Sequence, residues 1–318
     1  MTQQKPSLLQ LLPFFVLPEA EERLARDFNV IQLWEEPDPD AAILAHQDSI
    51  TVLVTSAMTP TPASLIDRLP NLRAICSNGV GYDAIDVKHA QQKGIQVSNT
   101  PDVLNDCVAD LAWGLILTSA RGLGRAERHV RANQWGTAQL PLGSKVTGKK
   151  LGIVGLGRVG LAIAERAAGF RMDVRYHNRR ARTDTSWTYE SSLAGLARWA
   201  DFLVIATVGG ASTRHLIDQS ILEALGPRGI LINIARGSVV DEAALVNMLE
   251  NGRLGGAGLD VFEDEPNVPD ALKNLDNVVI LPHIASATIE TRQAMASLVL
   301  DNVDAFSKTG RVITPVVD

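Results

Sequence analysis

Three segments in the second half of the chain each deliver polar side chains directly after an apolar run. They are Ile232-Asn-Ile-Ala-Arg-Gly-Ser-Val-Val-Asp241, Gly258-Leu-Asp-Val-Phe-Glu-Asp-Glu-Pro266 and Ile280-Leu-Pro-His-Ile-Ala-Ser-Ala-Thr288. The side chains are Arg236, Asp260 with Glu265, and His283. An arginine fork matches two oxygens of a planar anion. A histidine exchanges a proton near neutral pH, and a carboxylate beside it orients the ring. Singly, each has a plainer reading: a surface ion pair for Arg236, a loop carboxylate for Glu265, a turn residue after Pro282 for His283. Their joint occurrence at consecutive strand ends favours chemistry, because open α/β sheets bind ligands at the C-terminal ends of their strands.

Upstream lies a glycine pattern, Lys150-Leu-Gly-Ile-Val-Gly-Leu-Gly-Arg-Val-Gly160, followed by Leu161-Ala-Ile-Ala-Glu-Arg-Ala-Ala-Gly-Phe170. It reads as a buried strand, a three-glycine turn and a helix in succession, the arrangement that brings a pyrophosphate to a helix N-terminus. Gly155 permits the tight turn, Gly157 lets the backbone approach phosphates, and Gly160 lets the helix lie close to the strand. Such a match is weak alone in a chain with 25 glycines. It gains weight from the apolar run before it and from the second strand, Met172–His177, one helix length later.

The end of that second strand selects the dinucleotide. An NAD site carries Asp or Glu about 20 residues past the glycines, on the ribose hydroxyl. Here the position holds Asn178, followed by Arg179 and Arg180, with Arg182 just beyond. Arginines bind a 2′-phosphate with charge-assisted hydrogen bonds, whereas a carboxylate would repel it. NADP (as NADPH) is therefore expected in preference to NAD.

The elements that must position these groups alternate along the whole chain. Strand-like runs near Phe14–Leu17, Val30–Trp34, Ile50–Thr55, Leu72–Cys76 and Ile95–Ser98 are separated by helical patterns near Glu19–Arg26, Ala41–Ala45, Ala63–Leu69 and Ala84–Lys93. A long helical stretch, Leu104 to about Ala132, follows. A second series then runs through Leu151–Val154, Val174–His177, Phe202–Thr207, Gly229–Ile234, Ala257–Val261 and Val278–Leu281, closed by a helix over about Ser286–Phe306. Alternation of this kind predicts an α/β fold of two Rossmann-like or flavodoxin-like domains with parallel sheets. All cofactor signals fall in the second series. A dinucleotide-binding domain over residues 100–286 is thus expected, inserted into a substrate-binding domain of residues 1–99 plus 287–318.

Composition narrows the remaining classes. The chain has 318 residues, a net charge of −6 and two cysteines, Cys76 and Cys107. An acidic balance with no basic run disfavours nucleic acid. Two cysteines in so long a chain suit a reducing compartment without disulfides. The apolar run Leu8–Leu17 is preceded only by Lys5 and interrupted by Pro13, so it reads as a buried strand rather than a signal sequence or membrane span. A cytoplasmic protein without membrane attachment or metal is expected.

The four motifs Gly155–Gly160, Asn233–Ser238, Gly258–Pro266 and Leu281–Ser286, in this order, resemble those of the D-isomer-specific 2-hydroxyacid dehydrogenase family, and the resemblance spans essentially the whole chain. It implies a catalytic trio of Arg236, Glu265 and His283, with Asp260 beside the nicotinamide carboxamide. It implies cofactor contacts from Leu156, Arg158 and Val159 within the glycine turn, and from Thr207, Ile234 and Ala235. It assigns Ser77-Asn-Gly-Val-Gly-Tyr82 to the substrate-carboxylate loop, with Asn78, Gly79, Val80 and Gly81 as contacts together with Ser286. Gly79 and Gly81 can turn backbone N–H groups toward an anion, although an ordinary strand-to-helix turn has the same composition. Asn178-Arg-Arg180 most resembles the NADPH-preferring glyoxylate, hydroxypyruvate and hydroxyphenylpyruvate reductases. Ala206–Thr213 departs from the family pattern in lacking a proline. Trp135 falls in an arm, around 110–140, that resembles the family's dimer arm; contact with a partner's pocket and core or interface packing both stay open.

On this reading a 2-oxo acid is reduced to a D-2-hydroxy acid by hydride from NADPH. Its carboxylate is held by Asn78–Gly81 and Arg236, and His283, held in its charged form by Glu265, donates the proton. The alternatives are an NAD-preferring phosphoglycerate or D-lactate type enzyme, and a non-catalytic nucleotide-sensing corepressor of the same fold. Substrate size is left open between glyoxylate, hydroxypyruvate and aryl-pyruvates.

Overall fold

Short runs of valine, isoleucine and leucine, buried on both faces, form the strands of two all-parallel sheets. Burial on both faces is what a parallel sheet sandwiched by helices requires. The computed structural model describes residues 5–14, 16, 17 and 19–316. The chain divides into two compact units: one takes the chain up to Leu104 and again from Ala287, the other is Asn105–Ser286.

The first unit holds β1 (Ser7–Gln10), β2 (Asn29–Gln32), β3 (Ile50–Ser56), β4 (Ala74–Asn78) and β5 (Gln96–Ser98), with helices α1 (Glu19–Asp27), α2 (Pro39–His46), α3 (Ala63–Asp67) and α4 (Val87–Gln92). The sheet order is β2-β1-β3-β4-β5, the flavodoxin-like order. Its first strand differs from expectation. Residues 7–10, all buried, pair with both β2 and β3, whereas Phe14 and Leu17 lie beyond Pro13 and fill the core outside any strand. Phe15 of the expected strand lies outside the described residues. The C-terminal helix Ile289–Thr309 starts at Thr288, whose hydroxyl accepts from the Thr291 amide, and ends at Gly310 in the left-handed conformation. Its Ala296, Val299, Leu300 and Val303 pack with Leu8, Leu24, Val52 and Val54.

The second unit begins with α5 (Asn105–Arg121) and α6 (Leu123–Arg131). The single helix expected across this stretch is broken at Gly122, which takes φ 62°, a conformation that costs glycine little and other residues more. Then come β6 (Lys150–Val154), α7 (Arg158–Arg166), β7 (Asp173–His177), β8 (Thr188–Tyr189), α8 (Leu193–Trp199), β9 (Phe202–Ile205), α9 (Gln219–Leu225), β10 (Ile230–Asn233), α10 (Glu242–Glu250), β11 (Gly256–Leu259), α11 (Asp270–Asn274) and β12 (Val278–Ile280). The order is β12-β11-β10-β9-β6-β7-β8. From β6 the chain moves outward to β8, then returns to the other side of β6. The switch point lies between β6 and β9, where such sheets open a crevice for ligands. Strand β8, two residues long, carries too little apolar pattern to read from sequence. No helix among the described residues is long and apolar enough to cross a membrane.

Candidate active site and dinucleotide crevice

The glycine turn stands at the switch point. Gly155 takes φ 97°, and a Cβ there would lie 2.7 Å from the Ala206 carbonyl oxygen and the Thr207 backbone. At Gly160 a Cβ would run into the carbonyl oxygen of Gly155. Both glycines therefore let backbone pack on backbone. Gly157 differs: it is exposed and faces open space at the start of α7, where no side chain caps the helix. A helix start without a side-chain cap and with an open approach fits an anion. Exposed Arg158 and half-buried Val159 open the helix beside it.

Leu156 and Asn178 shape this turn from within. The Leu156 amide donates to Asn178 Oδ1 at 2.7 Å, its carbonyl accepts from Arg182 Nη1 at 2.8 Å, and its side chain is buried. Arg182 is further held by both oxygens of Asp184. Arg179 and Arg180, by contrast, are exposed and form no ion pair among the described residues. Two arginines left to solvent at this strand end suit a 2′-phosphate. The proline-free loop after β9 is stapled by the Thr213 hydroxyl, which donates to the Val208 and Gly210 carbonyls at 2.8 and 3.2 Å.

The three chemical groups arise at the C-terminal ends of neighbouring strands β10, β11 and β12. Asn233, which sequence reading left among the motif residues without a role, ties the first loop: Oδ1 accepts from the Ala235 amide at 3.1 Å and Nδ2 donates to the Arg236 carbonyl at 2.9 Å. Ile234 and Ala235 are buried, and Arg236 is half-buried with Nη1 donating to the Ala235 carbonyl. Asp260 then pins the third loop. Its carbonyl accepts from the His283 amide at 2.9 Å, and its two carboxylate oxygens accept from the Ile284 and Ala285 amides at 2.8 Å each. His283 is thereby held at φ 54°. The Ser286 side chain, next along, is half-buried.

Glu265 completes the group. Its Oε2 lies 2.8 Å from His283 Nδ1, and its Oε1 accepts from the Phe262 amide at 3.0 Å. Burial opposes the Glu265 charge, but the His283 hydrogen bond, the Phe262 amide and the charges of His283 and Arg236 outweigh it and hold the carboxyl below its ordinary value. Burial dominates at Asp260 and raises it, against the two amides and His283, with Glu265 adding to the rise. With Nδ1 turned to a carboxylate, His283 offers Nε2 for proton exchange.

In the first unit, Gly79 sits where a Cβ would run into that of Ala57. The Gly79 carbonyl accepts from the Thr100 amide at 2.9 Å and the Val80 carbonyl from Asn99 Nδ2 at 2.8 Å. The amides of Gly79, Val80 and Gly81 meet no acceptor among the described residues. Amides left over at a glycine-containing turn are of the kind that can receive an anion. Buried Asn78 Oδ1 beside it also lacks a partner. Trp135 is 83% exposed, which corrects the reading that packs it in this chain's own core.

The NAD binding domain of the D-isomer specific 2-hydroxyacid dehydrogenases matches residues 113–285. A glyoxylate/hydroxypyruvate reductase A from Arabidopsis thaliana is 45% identical over 297 residues, covering 93% of this chain and 95% of the relative. A hydroxyphenylpyruvate reductase from Plectranthus scutellarioides is 44% identical over 297 residues, with the same coverage of 93% and 95%. Among solved structures, an NADPH-dependent glyoxylate/hydroxypyruvate reductase from Sinorhizobium meliloti, in complex with NADP and malonate, is 43% identical. It superposes with a TM-score of 0.92 over 99% of this chain and 97% of that one. With the glycine turn at the switch point and a carboxylate–histidine pair at the neighbouring strand ends, the chain belongs to the D-isomer specific 2-hydroxyacid dehydrogenase family.

Proposed function

We propose that this chain is an NADPH-dependent reductase of small 2-oxo acids, giving the D-2-hydroxy acid. The observation that carries the reading is the Glu265–His283 contact of 2.8 Å on the same sheet edge as a glycine turn followed by two unpaired arginines. Gly157, Arg158 and Val159 at the start of α7 would hold the pyrophosphate, with Thr207, Ile234 and Ala235 along the crevice. Arg179 and Arg180 would hold the 2′-phosphate, Asn178 setting the turn behind them. Asp260 would accept from the carboxamide through lone pairs left on its oxygens. The bound cofactor supplies the hydride.

The chain's own residues do the rest. Arg236 takes the substrate carboxylate with its planar fork. The amides of Asn78–Gly81 are assigned to the same carboxylate, and Ser286 to the substrate. As charge grows on the carbonyl oxygen, His283 donates the proton from Nε2. Glu265 on Nδ1 fixes the ring and leaves Nε2 to the substrate. In the reverse direction neutral His283 accepts the proton from the alcohol.

The protein is further proposed to be cytoplasmic, its cysteines being free thiols, and to form a homodimer through the arm around 110–140. The test is a panel of 2-oxo acids (glyoxylate, hydroxypyruvate and an aryl-pyruvate) with NADPH and NADH, followed by loss of reduced-cofactor absorbance. Turnover with NADPH well above that with NADH is expected. Absence of turnover with every acid would reject the reading, and a preference for NADH would reject its cofactor part.

A further inference from the structure

We propose that Glu242 is a positioning residue for the proton-transfer pair: it anchors the peptide unit adjoining the one from which Glu265 is hung. The inference rests on the assignment of His283 as proton donor and Glu265 as its partner.

Glu242 is the first residue of α10, yet it does not cap that helix. Asp241 does so, accepting from the Ala244 amide at 3.0 Å. The Glu242 carboxylate instead crosses to the loop after β11, where Oε2 accepts from the Glu263 amide at 3.2 Å. The adjacent amide, of Phe262, is the one that donates to Glu265 Oε1 at 3.0 Å. Two successive amides of one loop are therefore taken by two carboxylates, one supporting the loop from behind and the other reaching His283. Removing the first loosens the Phe262–Glu263 peptide unit, which adjoins the Val261–Phe262 unit that orients the second.

Two other features close on the same peptide. A Cβ on Gly237 would run into the Phe262 carbonyl group and the Glu263 nitrogen, so the turn that carries Arg236 lies directly against it. His215 links the two loops from outside: its amide donates to the Ser238 carbonyl at 2.8 Å, and its Nε2 lies 2.9 Å from Glu263 Oε1. Arg214 Nη2 shares that oxygen at 2.7 Å.

The arrangement is costly, which argues against its being incidental. Glu242 is raised from its ordinary value by burial first, then by the nearby charges of Glu263 and Asp264, against the opposing Glu263 amide. An alanine would relieve both the burial and the crowding. Retaining a carboxylate there makes sense if the amide it holds matters.

The test is the pH profile of 2-oxo acid reduction for the wild type and four variants: Glu242→Ala, Glu242→Gln, Glu242→Asp and Glu265→Gln. Glu265→Gln should move the limb on which reduction falls with rising pH to lower pH. Glu242→Ala should move it the same way by about half a unit to one unit, with NADPH affinity unchanged. Glu242→Gln, which keeps an acceptor, should return the wild-type limb. Glu242→Asp, with its carboxylate drawn back, should fall between and serves if the alanine variant does not fold. A limb displaced by Glu265→Gln but left in place by Glu242→Ala and Glu242→Asp would overturn this positioning role alone, as would a glutamine variant that behaves like alanine. A limb that Glu265→Gln also leaves in place would remove the underlying pair and this inference with it.

Discussion

At the residue scale the site is a set of obligations between neighbours. His283 adopts φ 54°, a backbone state that a residue with a Cβ keeps only when its surroundings hold it. Asp260 does that holding with three hydrogen bonds, and Glu265 then fixes the ring. His283→Ala should therefore lower kcat for reduction by roughly 10²- to 10⁴-fold with little change in the KM of the 2-oxo acid, measured at saturating NADPH; near-normal kcat would take His283 out of the acid role. Glu265 also leaves a mark on stability. Its folded-state value lies below the ordinary one, so its ionised form stabilises the fold above the carboxylate range, and that contribution is lost as pH falls through the folded value. In urea unfolding, the wild type should lose stability relative to Glu265→Gln between pH about 7 and pH about 3. A stability difference that stays constant over that interval would contradict the sign.

At the element scale, the crevice is made by what strands and turns leave unsatisfied. The turn between β6 and α7 presents amides, and the turn after β7 presents Arg179 and Arg180. Charge-assisted hydrogen bonds contribute about 1.5–3 kcal/mol each, so Arg179→Ala with Arg180→Ala, which removes at least two, should weaken NADPH about 10²- to 10⁴-fold while leaving NADH nearly unchanged. Equal weakening of both cofactors, read by fluorescence titration, would assign the arginines to the surface instead. Much of this was legible from the chain alone, because buried parallel strands read as unbroken Val, Ile and Leu runs and because glycines mark where backbones must touch. The groups after β10, β11 and β12 could be named from type and order. What hid was whatever depends on cross-chain partners. That Leu156 and Asn178 bond to each other, that Asn233 staples its own loop, and that Asp260 spends both oxygens on amides 24 and 25 residues away has no periodic signature. The break at Gly122 and the shift of β1 to Ser7–Gln10 were missed for a related reason: helical and strand patterns set type well and ends poorly.

At the scale of the whole molecule, the arm after α5 carries a group of exposed apolar side chains close together in sequence. Leu123 is 48% exposed, Val130 52%, Trp135 83% and Leu142 99%, all within one stretch of twenty residues. Single exposed apolar side chains are ordinary on a soluble surface, whereas a run of them in one segment marks an association face. A second copy of the chain is the occupant proposed for it, since a two-fold axis sets the same segment against itself. Trp135→Ala combined with Leu142→Asp removes the largest ring and places a charge on the most exposed of the four positions, at little cost to a fold in which both side chains face solvent. Sedimentation velocity should then find the wild type as a dimer and the double variant as a monomer with an unchanged circular dichroism spectrum. A wild type that sediments as a monomer at assay and at crystallisation concentrations alike would leave the arm without this role.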